Sequence, residues 1–503
     1  MIAYVLKEIL DVKIQILYIT INFLKNNNHL KPELMKKIIY LAMCLLLTST
    51  VVFAQKFNKI ETIDDGATSE SRSVPCLNET QRAEIKTILH ENVNQLKQQG
   101  KLQHLNKTAA HPLFIWPVKQ ADGSIYESIW GRVNQVDHDP ASPNMLSDYN
   151  CGERTTDNEE AGFNHQGTDI RLWPFSWDMM DNDIAEVVAG DAGQIIGKFD
   201  GNDDRNCDNS PNPWNAVYIQ HIDGSVAWYG SLKNGSLTSK EIGDTVLQGE
   251  FLGIMGSSGV SNRAHVHFEV YDADTNLVDP YAGACNSMNA DSWWLDQKPY
   301  IDPSINAVLT HSLPFSFGDC ADTHDVLNLQ NDFYAGDEVF AYVYLRDAYD
   351  GTEMQLKIRD PNNIIVQEAP YVFSGNFSGR AVLVLQFVVQ PSDLLGTYTL
   401  EVTYEGQTVI HSVTNLGVLG VEEASLAQTV VYPNPMQSKL FIDSESNIVA
   451  ATIRDVVGKS VIELKDATRS LQEIDVSVLT QGIYFITLVS DNNQSEIIKL
   501  IKE

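Results

Sequence analysis

The stretch Ala264-His265-Val266-His267-Phe268-Glu269-Val270, entered through Gly249-Glu250-Phe251-Leu252-Gly253-Ile254-Met255-Gly256-Ser257-Ser258-Gly259, decides how the chain is read. Glycine punctuation followed by alternating positions describes a hairpin feeding a β-strand. Residues two apart on a strand share a face, so His265 and His267 look into one cleft. An upstream stretch, His165-Gln166-Gly167-Thr168-Asp169, adds another imidazole and a carboxylate. His165, Asp169 and His267 suit an open zinc site. Neutral imidazoles and one carboxylate leave a fourth tetrahedral position for a water, whose pKa the metal lowers toward neutrality. His265, on the same face as His267, is then available for proton transfer. Two polar residues on an ordinary strand are the plainer reading of His-x-His alone; the surrounding glycines and strand pattern favour the metal role.

Between about Trp116 and Asp279 the sequence resembles the lysostaphin-like (LytM-type) zinc metallopeptidases, whose HxxxD and HxH motifs bracket a small antiparallel β-sheet core. The resemblance implies that His165, Asp169 and His267 bind Zn2+ and that His265 assists water attack or steadies the tetrahedral intermediate. That family places a second catalytic histidine in a Tyr-x-His-Leu stretch. Here the segment reads Tyr229-Gly230-Ser231-Leu232, so Ser231 takes that position. A serine donates a hydrogen bond to a developing oxyanion but carries no proton or positive charge near neutrality, which implies reduced activity. His221 does not replace it. The Asp223-Gly224 turn pairs His221 with Val226 and puts Ser231 further along the partner strand on the other face, leaving His221 as a solvated strand residue. Arg263-Ala264 also departs from the family, which has Gly-Pro before HxH.

A chain of 503 residues implies several domains, and a net charge of −31 argues against nucleic acid or an anionic membrane surface as partner. Met35, Lys36 and Lys37 begin an export signal that continues through the apolar run Ile38 to Val52 and a small-residue site at Val52-Phe53-Ala54. The mature chain is expected from Gln55, with Met1 to Leu34 an upstream extension and no transmembrane span in the mature chain. Cys76, Cys151, Cys207, Cys285 and Cys320 remain after export, consistent with two bridges and one cysteine outside them; Cys151 with Cys207 is the pair expected first. Asn78-Glu79-Thr80-Gln81 reads as a capping box before an amphipathic helix carrying Ile85, Ile88, Leu89, Val93 and Leu96, expected to dock on the core as a structural element. The run Asp200 to Asp208 offers many oxygen ligands without EF-hand spacing and is read as a solvated acidic turn. Trp173, Phe175, Trp177 and Trp214 are core residues or cleft walls.

Beyond Tyr300, Val339 to Leu345, Met354 to Ile358, Ala381 to Leu385 and Tyr398 to Val402 read as strands of an immunoglobulin-like β-sandwich, expected to act as a spacer. Val431-Tyr432-Pro433-Asn434-Pro435, the Ile453-Arg454-Asp455-Val456-Val457-Gly458-Lys459 hairpin, Leu479-Thr480-Gln481-Gly482-Ile483-Tyr484 and Ile497-Ile498-Lys499-Leu500 resemble the C-terminal sorting domain of type IX secretion substrates. This resemblance implies export through the periplasm to the surface or medium, with the type IX secretion machinery as partner. The expected protein is mostly β, with residues 1–54 the extension and signal, 55–110 a helical segment and 111–300 the lysostaphin-like core. Residues 301–420 form the immunoglobulin-like domain, and 425–503 a β-sandwich sorting domain. The expected activity is zinc-dependent hydrolysis of peptidoglycan cross-bridges or glycine-rich extracellular peptides. The alternative is an impaired, zinc-retaining homologue that binds or regulates the cell wall.

Overall fold

The structure is a computed structural model describing residues 59–63, 76–139, 145–155, 157–158, 163–207, 212–320, 322–375, 379–418, 429–465, 470–491 and 494–503. The export signal expected at 35–54 lies outside the described residues. The chain is mostly β and divides into two compact units, 1–417 and 418–503.

The larger unit is built on an antiparallel sheet whose strands run in the order Thr245–Val246, Gly193–Phe199, Ala216–Gln220, Val226–Gly230, His265–Tyr271, Thr168–Leu172, Trp130–Asn134, with Leu277–Val278 pairing beside His265–Tyr271. The His265–Tyr271 strand is central and every residue in it is buried. Its period of two divides it cleanly. Val266, Phe268 and Val270 join the main apolar core, whereas His265, His267 and Glu269 turn to the opposite side.

The Glu79–Gln98 helix closes that opposite side. It begins with the expected capping box, in which the Asn78 side chain accepts from Gln81 N while the Gln81 side chain accepts from Asn78 N. Ile85, Leu89 and Leu96 pack with Tyr218, Trp228 and Tyr271 of the sheet, each burial contributing about 1.5–3 kcal/mol. Ile88 is exposed, and Arg82 is buried in its stead because it meets a carboxylate on the sheet. Apolar periodicity has no means of showing that exchange.

Downstream lies a β-sandwich. One sheet has the order Lys59–Ile63, Ala381–Val388, Glu338–Arg346, Ser304–His311, and the other Asp332–Phe333, Gln407–Asn415, Gly396–Tyr404, Glu353–Arg359, Ile365–Val372. The first sheet is buried on both faces. Val343, Leu345 and Leu383 pack toward the second sheet, while Tyr342, Tyr344 and Val382 belong to the same core as Trp173, Phe175 and Trp177. Trp173 Nε1 donates to Leu345 O at 3.1 Å and Arg154 Nη2 meets Asp347 Oδ1 at 2.8 Å, so the sandwich and the histidine-bearing sheet form one packed body. Lys59–Ile63 was not foreseen as a strand; it adds an edge to this sandwich.

The expected Cys151–Cys207 bridge is corrected: Cys151 pairs with Cys285 and Cys207 with Cys320. Each closes a loop of more than a hundred residues (134 and 113 apart), a restriction on the unfolded chain worth up to about 5 kcal/mol. Cys76 lies outside both bridges.

The unit at 418–503 has its own core, with Leu440, Ile453, Ile486 and Leu500 fully buried between a three-stranded and a four-stranded antiparallel sheet. The Asp455–Lys459 hairpin forms as read, with Asp455 N donating to Lys459 O at 3.0 Å.

Candidate metal centre and catalytic site

Strand register assembles the site. His267 stands directly opposite Asp169 on one neighbouring strand and opposite Gly230 on the other, so the residue after that second strand, Ser231, arrives beside the histidines. His165 enters from the loop just before Thr168–Leu172, and Gly167 lets it turn in closely. A Cβ there would lie 2.5 Å from His267 Nε2.

Each imidazole has one nitrogen fixed by an acceptor and the other aimed inward. His165 Nδ1 lies 2.7 Å from Gln135 O, a group that only accepts, so Nδ1 carries the proton. His165 Nε2 is buried, makes no hydrogen bond and faces Asp169 Oδ2 at 3.4 Å. His267 Nε2 lies 3.0 Å from Glu269 Oε2, while its Nδ1 approaches Asp169 Oδ1 at 2.7 Å. For His265, Nδ1 meets Arg263 O at 3.0 Å and Ser261 Oγ at 3.1 Å, which leaves Nε2 toward Ser231 Oγ at 3.2 Å. A carbonyl or carboxylate behind each ring is the arrangement that fixes tautomer and orientation in metal-binding histidines. The donor types suit a divalent cation: His165 Nε2 and His267 Nδ1 both approach the Asp169 carboxylate, at 3.4 and 2.7 Å, and the first is otherwise an orphaned buried atom.

The electrostatics agree. Burial opposes a charge on His267, yet hydrogen bonds with Asp169, Cys76 and Glu269 raise its pKa well above the ordinary histidine value. Surroundings that hold a proton there against burial also favour a metal cation. Burial likewise opposes a charge on Glu269, but Arg82 and His267 hold its carboxyl down to about 2.

All five residues singled out from sequence come together here. His165, Asp169, Ser231, His265 and His267 are between 0% and 4% exposed, so the centre is covered. Four further residues belong to it that sequence reasoning had not placed there. Glu269 continues the parity of His265 and His267, the one signal that could have found it. Arg82 Nε donates to Glu269 Oε1 at 3.1 Å, and the Tyr271 hydroxyl donates to the same oxygen. Cys76, Asp169 and His267 offer ligand atoms that all lie within 4.8 Å of one another.

Other candidates fall elsewhere. His221 is buried rather than solvated: its Nδ1 lies 2.8 Å from Ala192 O, Phe114 packs against its ring, and burial lowers its pKa. Its register is one residue from that expected, since Val226 pairs with Gln220. Trp214 alone of the four aromatics borders the centre, with its ring 5.5 Å from that of His267. In the acidic turn, Asp200 Oδ1 accepts from Gly235 N and Asp204 Oδ2 from Asn234 N, which spends these carboxylates on backbone.

Two family models match parts of the chain: peptidase family M23 over residues 176–280, and the secretion system C-terminal sorting domain over 430–503. The M23 match includes Ser231, His265 and His267 and begins after His165 and Asp169. Comparison with curated proteins gave no match. Among solved structures, the chain is similar to the antimicrobial peptidase lysostaphin from Staphylococcus simulans, at 15% identity over 49% of this chain and 81% of that one, with a TM-score of 0.19. A fragment of titin, I67–I69, matches at 12% identity over 34% of this chain and 61% of that one, with a TM-score of 0.17. Motifs and family models together place in this chain a lysostaphin-like (LytM-type) peptidase domain of family M23 and a C-terminal type IX secretion sorting domain.

Proposed function

We propose that this secreted peptidase is a zinc-dependent endopeptidase acting on peptidoglycan cross-bridges or glycine-rich extracellular peptides. The observation that carries this reading is that His165 Nε2 and His267 Nδ1 both approach the Asp169 carboxylate, at 3.4 and 2.7 Å, each histidine oriented from behind by its own acceptor. A zinc ion held by these donors supplies Lewis-acid polarisation of the scissile carbonyl and acidifies a coordinated water. His265 takes the proton of the attacking water at Nε2 and returns it to the leaving amine nitrogen, while the Arg263 carbonyl keeps the ring in the tautomer that can do so. Ser231 donates a neutral hydrogen bond from the position where the family has a second imidazole. That substitution supports slow turnover. Retention of the whole ligand set favours a slow enzyme over an impaired cell-wall binding module.

The test is zinc content of the purified full chain and of its Asp169→Ala and His267→Ala variants, together with cleavage of peptidoglycan and glycine-rich peptides with and without a chelator. One zinc per chain, lost in both variants, and chelator-sensitive cleavage are expected. Unchanged zinc content in the variants overturns the assigned site.

A further inference from the structure

We propose that Cys76 is a fourth ligand of this centre and holds the peptidase latent, an inference that rests on the zinc reading above. Among the described residues, Cys76 is the cysteine outside both disulfides, and it is buried. Its sulfur lies 3.8 Å from His265 Nε2 and within 4.8 Å of the inward atoms of Asp169 and His267. A second observation at the same point is independent of the cysteine. His165 Nε2, buried and without a hydrogen bond, faces the Asp169 carboxylate of this group at 3.4 Å. Three nitrogen and oxygen donors plus a thiolate make the closed tetrahedral set of a structural zinc site, whereas a hydrolytic site keeps one position open.

The segment carrying Cys76 is held in place by contacts on both sides of it. Upstream, Lys59–Ile63 is a strand of the sandwich. Downstream, Arg82 reaches Glu269 beneath the centre, and Glu79 accepts from Gln166 Nε2 at 2.7 Å beside His165. On ligation the Cys76 thiol gives its proton to solvent, its sulfur donates an electron pair to the metal, and a water is the group displaced. The water that hydrolysis needs and the sulfur thus compete for one position. The zero to four per cent exposure of the catalytic residues is the structural counterpart of this closure.

The experiment uses the full chain, its Cys76→Ala and Cys76→Ser variants, and cobalt(II) in place of zinc as a spectroscopic probe. Cobalt-loaded parent should show the near-ultraviolet thiolate-to-cobalt charge-transfer band, and both variants should lose it while still binding one metal. Mapped alkylation should find Cys76 protected in the metal-loaded parent and reactive after chelation. Peptide cleavage by the zinc-loaded Cys76→Ala chain should exceed the parent's by at least about tenfold, the factor corresponding to ~1.4 kcal/mol of preference for sulfur over water. One bound metal with no thiolate band, or a band that survives in both variants, overturns the role of Cys76 and leaves the peptidase reading standing. Failure of the parent to bind metal overturns both.

Discussion

Glu269→Gln separates the metal-orienting role of this carboxylate from its structural one. Glu269 is fully buried and serves three partners: Oε2 accepts from His267 Nε2 at 3.0 Å, and Oε1 from Arg82 Nε at 3.1 Å and from the Tyr271 hydroxyl. An amide of the same shape has one oxygen and one nitrogen for these three donors, so at least one contact becomes donor against donor. Removing the charge also leaves Arg82, 4% exposed, with only the exposed Glu79 carboxylate at 3.5 Å as its counter-ion, a loss of up to about 3–5 kcal/mol. Removing an outer partner of a metal-bound histidine costs about 10–100-fold in metal affinity, or ~1.4–2.7 kcal/mol. Arg82→Met in the same chain deletes the stranded cation and should recover most of the lost stability. It should recover none of the zinc affinity, because His267 still lacks its carboxylate. Chelator competition measures the affinity, and denaturant unfolding of the full chain measures the stability. If Glu269→Gln binds zinc within about threefold of the parent, or if the double variant regains affinity along with stability, the orienting role is wrong.

Three further outcomes are expected. Ser231→His, made in a Cys76→Ala chain, should raise chelator-sensitive cleavage by on the order of a hundredfold; Ser231 sits at φ 62°, a region histidine enters more readily than most residues, and an unchanged rate in a folded, zinc-loaded variant removes the reading of Ser231 as a defect. Truncation after Gly417, the boundary of the larger unit, should leave metal binding intact and strand the protein inside the producing cell, and its normal appearance outside refutes the sorting role. His311 is held neutral by burial, which lowers its pKa to about 4 from an unfolded value of ~6.5. The unfolded chain therefore binds more protons between these values, so stability is full above pH ~6.5 and falls by up to ~3 kcal/mol as pH drops to ~4, a slope that His311→Asn should flatten in unfolding measurements.

The proposed ligands were legible because they are local. His165 and Asp169 share one short stretch, His265 and His267 one strand, and strand parity needs no partner to be applied. The same parity extends to Glu269, although a carboxylate in a strand reads first as a solvated position. What closes the centre was not legible. Arg82 meets Glu269 across 187 residues and Cys76 meets His265 across 189, and no local pattern encodes pairings made by packing a helix on a sheet. The disulfides failed for the same reason: with two bridges and one cysteine outside them, only the positions of the loops around the sheet select Cys151–Cys285 and Cys207–Cys320. Lys59–Ile63 is a short segment whose strand character comes from the edge it completes.

The segment before the peptidase-like sheet does two opposed things, and this gives a last prediction. On the proposal above, Cys76 lets it cover the candidate centre, while Arg82 supports Glu269 and thereby His267. Its helix also buries the outer side of the sheet, where Tyr218, Trp228 and Tyr271 pack against Leu89 and Leu96. Deleting residues 55–110 therefore opens the site and loosens it at once. Glu269 loses its guanidinium and, with the helix gone, faces water, so it holds His267 less firmly. Cys76→Ala removes only the cover. The point variant should hence cleave faster than the deletion at equal protein concentration, and the deletion should need a higher zinc concentration for half-maximal loading by about 10–100-fold. Zinc titration of both proteins alongside the parent decides it. If the deletion loads zinc as tightly as Cys76→Ala and cleaves as fast, the segment is a cover alone and the Arg82–Glu269–His267 chain carries no function.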